Sequence, residues 1–266
     1  MKTILITGST DGIGKLTAIE LAKKGCQMLL HGRNGAKLEQ TIAEVKSLSN
    51  NYGINGFVSD LSDFSSIRSM VADLANTNSK IDVLINNAGV YKSEIQRNQD
   101  DLDMRFVVNY FAPYMLTNGL TPLLMNSSAP RVINLSSAAQ EAVSLKALKG
   151  NESISTQSAY AQSKLALTMW SFDFAENNPE IITIAVNPGS LLNTKMVQDA
   201  FGQHWASADK GAAILYDLAI SEKYANCSGK YFDNDKGSFN TAHSDAYVHG
   251  KITGLISETE KILKGK

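Results

Sequence analysis

Short apolar runs and helix-spaced apolar residues take turns along this chain. The run Ile4-Leu5-Ile6 gives way to Ile13, Leu16, Ile19 and Ala22, which recur every three or four residues and mark one face of a helix. The same change of period then repeats. Residues 26–30 read as a strand and 36–48 as a helix with Leu38, Ile42, Val45 and Leu48 on one side. Residues 54–59 form a third strand, 63–76 a helix with Ile67, Met70, Val71 and Leu74 inward, and 81–85 a fourth strand. A long helical stretch, 102–125, contains Pro113 and Pro122, which predict a kink or a break. Strands at 131–135 and 181–186, helices at 158–176 and 208–220, a final short strand at 230–232 and a C-terminal helix near 244–263 complete the pattern.

Strands that alternate with helices require right-handed crossovers and give a parallel sheet covered on both faces. The fold class is therefore α/β, a doubly wound parallel sheet of the Rossmann kind. No long linker, repeat or low-complexity segment interrupts it, so residues 1–266 are expected to form one domain. In such a sheet the ligand crevice lies beyond the carboxyl ends of the strands. Polar and glycine residues gather at those ends. They are Thr7-Gly8-Ser9-Thr10-Asp11-Gly12-Ile13-Gly14, His31-Gly32-Arg33-Asn34, Asp60-Leu61, Asn86-Asn87-Ala88-Gly89, Ser136-Ser137 and Asn187-Pro188-Gly189.

The first of these is strand, glycine turn, helix, a shape suited to a phosphate. Glycines let a ligand approach the backbone, and the free N–H groups at a helix start offer partial positive charge. The spacing G-x-x-x-G-x-G departs from the G-x-G-x-x-G fingerprint and lacks the Gly-Lys-Ser/Thr ending of a P-loop. Taken alone, it also fits a βα turn with no ligand. Tyr160 and Lys164 fall one turn apart on the helix of 158–176 and share a face. A cation beside a tyrosine favours the phenolate, so the pair suits general acid/base work on an alcohol or carbonyl. An isolated Tyr–Lys pair at this spacing is common on surface helices. Ser137, closing the preceding strand, supplies a hydroxyl that could hold the substrate oxygen beside Tyr160.

Composition narrows the partners. The formal net charge is −1, which gives no electrostatic case for nucleic acid or an anionic membrane. Cys26 and Cys227 are far apart and outside any C-x-x-C, so reduced thiols are expected. His31, His204, His243 and His249 show no metal-ligand spacing, and no metal is expected. No apolar run approaches the ~20 residues of a membrane span, and the first strand begins within a few residues of Met1. The expectation is a cytoplasmic protein without a membrane anchor.

These motifs, in this order and on these elements, resemble the short-chain dehydrogenases/reductases over nearly the whole chain. Thr7-Gly8-x-x-x-Gly12-x-Gly14 matches that family's cofactor turn, with Ser9, Thr10 and Ile13 inside it. Asp60-Leu61 matches the place that meets the adenine ring, Asn86-Asn87-Ala88-Gly89 the central-strand motif, and Pro188-Gly189 the loop after the sixth strand. Asn109, Ser137, Tyr160 and Lys164 match the catalytic tetrad, the family pattern choosing Ser137 over Ser136. The resemblance implies a seven-stranded doubly wound sheet and hydride transfer between a nicotinamide and an alcohol/carbonyl pair. By the same resemblance Tyr160 gives the proton, Lys164 lowers its pKa and holds the ribose, and Asn109 anchors a water. Pairing of two copies through the helices of 102–125 and 158–176 is common in the family and is left open here.

Three departures carry information. The segment between Ser137 and Tyr160 is longer than usual and reads as an inserted surface loop, and Gly229-Lys230-Tyr231-Phe232 follows; both look like the retinol dehydrogenase branch. Thr194 lies one place later than the family's usual carboxamide-holding threonine. The corner after the second strand reads His31-Gly32-Arg33, with no carboxylate for the ribose hydroxyls, so NADP(H) is preferred over NAD(H). Gly32 is expected to leave room for the 2′-phosphate, Arg33 to meet it, and Lys15 to add charge; Arg33 stacking on adenine or facing solvent is the alternative. Leu191, Leu192, Met196, Val197, Phe201 and Trp205 make the loop of about 190–206 apolar. It is read as a lid over a hydrophobic small-molecule substrate, or else as packing on the body. Two further functions stay open: a non-catalytic dinucleotide-binding sensor on the same fold, and a methyltransferase, for which Tyr160 and Lys164 have no use.

Overall fold

The computed structural model describes residues 1–265, Phe201 by its backbone alone. In chain order the elements are β1 (Thr3–Ile6), α1 (Gly12–Lys23), β2 (Gln27–Gly32), α2 (Gly35–Ser49), β3 (Ile54–Val58), α3 (Phe64–Thr77), β4 (Val83–Asn86), α4 (Met104–Phe106), α5 (Ala112–Met125), β5 (Arg131–Leu135), α6 (Leu145–Leu148), α7 (Thr156–Asn177), β6 (Ile182–Asn187), α8 (Lys195–Phe201), α9 (Ala208–Ile220), β7 (Lys230–Asp233), β8 (Ser238–Asn240) and α10 (His249–Lys264). The sheet order is β3-β2-β1-β4-β5-β6-β7-β8. Strand order reverses between β1 and β4, the switch point at which such sheets open a crevice. One core lies under α1, α2 and α9, with Leu30, Val83 and Leu215 fully buried; the other lies under α3, α5, α7 and α10, with Leu74, Phe111 and Leu165 fully buried.

The sheet has eight strands rather than seven. β1 to β7 pair in parallel, and β8 turns back antiparallel on β7, with Tyr231 opposite Asn240. Its three residues include one large apolar side chain, Phe239, too few to show a period.

Residues 104–125 are not broken. A π-helical segment, Val107–Phe111, joins α4 to α5, and the Ala112 N–H reaches back to the Val107 carbonyl. Pro113 has no N–H for the Asn109 carbonyl of an α-helix, and the wider turn takes up that mismatch. Pro122 sits inside α5 without ending it. The insertion before Tyr160 is likewise not a plain surface loop. Within it α6 buries Ala147 and Leu148 in the core. The last helical stretch divides into a 3-10 turn, Ser244–Tyr247, and α10.

Candidate active site

The glycine turn after β1 lies flush against the residues after β4. Gly8 has φ +62°, and a Cβ there would stand 2.8 Å from the Ala88 Cα; one on Gly14 would stand 2.4 Å from Asn87 Nδ2. Asn87 Nδ2 donates to the carbonyls of Thr7 and Gly8 at 2.8 and 2.9 Å, and Thr7 Oγ1 accepts the N–H groups of Asn87 and Ala88. Asp11 caps α1 by accepting from the Gly12 N–H. The N–H groups of Ile13 and Gly14 meet no acceptor among the described residues. Together with the helix dipole they form a site of the kind that holds a pyrophosphate.

At the far end of the turn the arrangement differs from the sequence reading in two places. Gly32 leaves no free space, since a Cβ there would stand 2.5 Å from Thr10 Cγ2; the missing side chain admits Thr10. Lys15 points away to α2, where its Nζ meets Glu44 at 3.0 Å. The lysine beside the turn is Lys37, whose Nζ lies 2.7 Å from Asp11 Oδ2 and holds that carboxyl below the usual range. Arg33 is exposed at the end of β2, and no hydrogen bond or ion pair engages it among the described residues. Asp60 is exposed and its Oδ1 accepts from the Ser62 N–H and hydroxyl, while the Leu61 side chain enters the core.

At the other end, the Ser137 side chain faces the Tyr160 hydroxyl and favours its phenolate, and Ser137 Oγ accepts from the Ala139 N–H at 3.1 Å. Tyr91 packs edge-on against the Tyr160 ring with centroids 5.0 Å apart. Ser136 is turned inward, bonded to Thr168 Oγ1 and the Lys164 carbonyl at 2.7 and 3.1 Å. Lys164 Nζ donates to the Leu135 carbonyl at 2.7 Å and stands 5.6 Å from the Tyr160 ring centre. Burial pushes the Lys164 ammonium down to about 7. Tyr160 is pushed up by burial, with the facing Ser137 side chain opposing it. In this arrangement Lys164 is desolvated and its Nζ is bonded to the backbone beside the Tyr160 ring. Asn109 Oδ1 accepts from the Val90 N–H at 2.7 Å, and its Nδ2 donates to the Val90 carbonyl and Ser163 Oγ. Those bonds tie Gly89-Val90 to α7.

The loop of 190–206 does not act as one apolar face. Leu192 is 2% exposed and packs beside Gly189, Gly211 and Ile13 on the body. Trp205 is 74% exposed. Val197 and Leu191 are half-buried, Leu191 at φ 46°, and the Phe201 side chain lies outside the described residues. Met196 reaches toward the strand ends, its Cε 3.6 Å from where a Gly89 Cβ would be. Thr194 caps α8 by accepting from the Val197 N–H and lies over Gly12. Lys92 donates to the Asp199 carbonyl from across the cleft at 2.9 Å. The β7–β8 turn fixes the near end of this loop: Asn234 donates to the Pro188 carbonyl, and Asp235 accepts from the N–H and hydroxyl of Ser190.

Two residues with parts in this geometry went unassigned in the sequence. Tyr231 donates its hydroxyl to the Ser137 carbonyl at 3.0 Å; the sequence placed it in a short strand that looks like the retinol dehydrogenase branch and gave it no part in the site. His31 bonds the glycine turn and is taken up below. A cavity of about 550 Å³ lined by Phe172, Glu176, Tyr247 and His249 lies elsewhere, about 18 Å along α7 from Tyr160.

The family model for short chain dehydrogenase matches residues 2–205. The chain belongs to the short-chain dehydrogenase family. This dehydrogenase is 32% identical to human retinol dehydrogenase 13 over 254 residues, covering 88% of this chain and 77% of that one. It is 30% identical to human polyprenol dehydrogenase over 259 residues, with 88% and 77% covered. It is thus an oxidoreductase of the retinol dehydrogenase-like branch, acting on CH–OH groups. Among solved structures it resembles a protein from Mycobacterium paratuberculosis at TM-score 0.80 and 24% identity, over 99% of this chain and 94% of that one. It also resembles a short chain dehydrogenase from Shigella flexneri complexed with NADP, at TM-score 0.70 and 25% identity, over 88% and 97%.

Proposed function

We propose that the dehydrogenase uses NADP(H) to interconvert a hydrophobic alcohol and its carbonyl compound, with Tyr160 as the general acid/base. The observation that carries this reading is buried Lys164 Nζ 5.6 Å from the Tyr160 ring centre, with the Ser137 side chain facing the Tyr160 hydroxyl. The NADP in the Shigella relative and the alcohols in the names of two human relatives, both isoprenoid, agree with it.

Residues 8–14 and Asn87-Ala88-Gly89 would hold the dinucleotide, Ile13 and Gly14 by their free N–H groups, with Pro188, Gly189 and Thr194 closing over it. Arg33 would meet the 2′-phosphate, and Asp60 the adenine side. When bound, the nicotinamide supplies or takes the hydride. In the reduction direction the Ser137 hydroxyl holds the substrate oxygen and stabilises its growing charge. Tyr160 Oη donates the proton to that oxygen, and Ser137 and Lys164 support the phenolate left behind. Lys164 Nζ would exchange the Leu135 carbonyl for the ribose hydroxyls. Asn109, with both side-chain polar atoms in use, keeps Gly89-Val90 fixed against α7.

The test is a screen of NADPH oxidation over aldehydes, ketones and quinones, run with native protein and Tyr160→Phe. Native protein should turn over at least one hydrophobic member. Tyr160→Phe should lose at least about 10²-fold in turnover and keep its cofactor affinity. Turnover at the native rate by Tyr160→Phe would refute the assignment.

A further inference from the structure

We propose that His31 is a positioning residue of the cofactor site: its neutral imidazole latches the first glycine of the phosphate turn, and protonation opens the latch. The proposal rests on the reading that this turn binds the nicotinamide dinucleotide.

His31 is the penultimate residue of β2 and is 3% exposed. Its Nδ1 lies 3.0 Å from the Gly8 nitrogen and its Nε2 3.0 Å from the Ser59 carbonyl oxygen. A backbone N–H can only donate and a carbonyl can only accept. Nδ1 is therefore the acceptor and Nε2 carries the single proton, so the two neighbours fix both the tautomer and the charge state. The backbone of His31 is bonded to the same turn. Its carbonyl accepts the Ser9 N–H at 3.0 Å, and its N–H donates to Ser9 Oγ at 2.9 Å.

Gly8 is consequently gripped at both ends, its N–H by His31 and its carbonyl by Asn87 Nδ2. It holds φ +62° flush against Ala88 and begins the turn whose later N–H groups face the phosphate site. A second proton on the ring would set one N–H donor against another. The ring is 3% exposed and bonded at both nitrogens, so it has little room to swing away.

The charged groups around the ring are few. Asp60 follows Ser59 beyond β3 and favours the imidazolium. Arg33 lies two residues on, just beyond β2, and the Asp11–Lys37 pair lies on the outer side of the turn. Burial outweighs the bond to the Ser59 carbonyl and the charge of Asp60, and holds the imidazole below the ordinary histidine range. Cofactor affinity should then be intact above about pH 6.5 and fall as the ring protonates below it.

The experiment measures dissociation constants for NADH and NADPH from about pH 5.5 to 8 on native protein, His31→Asn and His31→Gln. NADH is the pH probe, because the 2′-phosphate of NADPH itself takes up a proton near about pH 6. Asparagine sets Oδ1 where Nδ1 stands and keeps an acceptor that does not titrate; glutamine reaches toward Ser59 and leaves the Gly8 N–H without one. At neutral pH His31→Gln should bind both nucleotides about tenfold more weakly, and His31→Asn should recover most of that loss. His31→Asn should also lose the acid fall-off for NADH that the native protein shows. Identical affinities in all three forms, or an acid fall-off kept by His31→Asn, would overturn the latch. If His31→Gln does not fold, the pH profiles of the other two decide. A native protein that binds neither nucleotide overturns the cofactor reading and the latch with it, whereas one that binds both without differences among the forms overturns the latch alone.

Discussion

Arg33 and Lys164 are two cations that the fold treats in opposite ways. Arg33 stands in solvent, engaged by no hydrogen bond or ion pair among the described residues, at a corner without a carboxylate. A charge-assisted hydrogen bond contributes about 1.5–3 kcal/mol, or roughly ten- to a hundredfold in affinity. Titration of Arg33→Ala should show NADPH weakened by about that factor and NADH nearly unchanged; equal affinity of native protein for the two nucleotides would leave Arg33 without a recognition role. Lys164 is buried, and its proton is held only to about 7 in the folded chain against about 10.4 when unfolded. Folding therefore releases a proton between those values, and the ligand-free protein should gain stability as pH rises through that window. Lys164→Met should abolish turnover, raise Tm at pH 7 by several degrees and flatten the rise of Tm toward pH 10. A Tm profile parallel to that of native protein would show that the lysine is not carried at a cost. Such a cost is expected where a residue is kept for its chemistry.

Elements with a strong period were legible from the chain, and elements set by a few contacts were not. The helices of 36–48, 63–76 and 208–220 fall within a residue or so of α2, α3 and α9, because each carries a full apolar stripe. β8 and α6 escaped because each places only one or two apolar side chains inward. Of the two prolines of 102–125, Pro113 follows a π-helical turn that interrupts the α-helix, and Pro122 is tolerated within α5. At the site, the sequence brought Tyr160, Lys164, Ser137 and the glycine turn to the strand ends. It could not show that Gly32 admits Thr10, that Lys15 serves α2, or that Tyr231 reaches back to Ser137, because those are contacts between elements far apart in the chain. The segment around α8 makes the same point for the substrate. Its apolar residues divide, Leu192 to the body and Trp205 to solvent, with Met196 toward Gly89. Met196→Ala should therefore lower kcat/KM for hydrophobic substrates by about tenfold, and Trp205→Ala should leave it unchanged. Equal effects from the two would make the loop's apolar character a general lid property rather than the work of one side chain.

Across the whole molecule, α7 is the helix on which both halves depend. It is buried on every side from Ala161 to Ser171, where a surface helix would show one apolar stripe. Its outer face is covered by the 3-10 turn and α10: Phe172 meets Tyr247 at 5.5 Å between ring centres, Leu255 is 1% exposed, and the Thr259 hydroxyl bonds the Tyr110 hydroxyl at 2.7 Å. The pairing of copies through the helices of 102–125 and 158–176 would need that face. Sedimentation is accordingly expected to give the 28.8 kDa monomer. Leu255→Ala should cost about 2–5 kcal/mol, the usual range for emptying a buried leucine site, and a thermal melt would read it as a clear fall in Tm. An unchanged melt would mean that α10 adds nothing to α7. The cover on α7 also sets an order of events in synthesis. β1 to β4, with α1 to α3 and the glycine turn, involve only the first ninety or so residues and can form while the chain is still being made. The helix bearing Tyr160 and Lys164 has an unprotected apolar side until residues beyond 249 leave the ribosome. A chain halted before that point would carry a nucleotide turn and an exposed sticky helix, a substrate for chaperones before it is an enzyme.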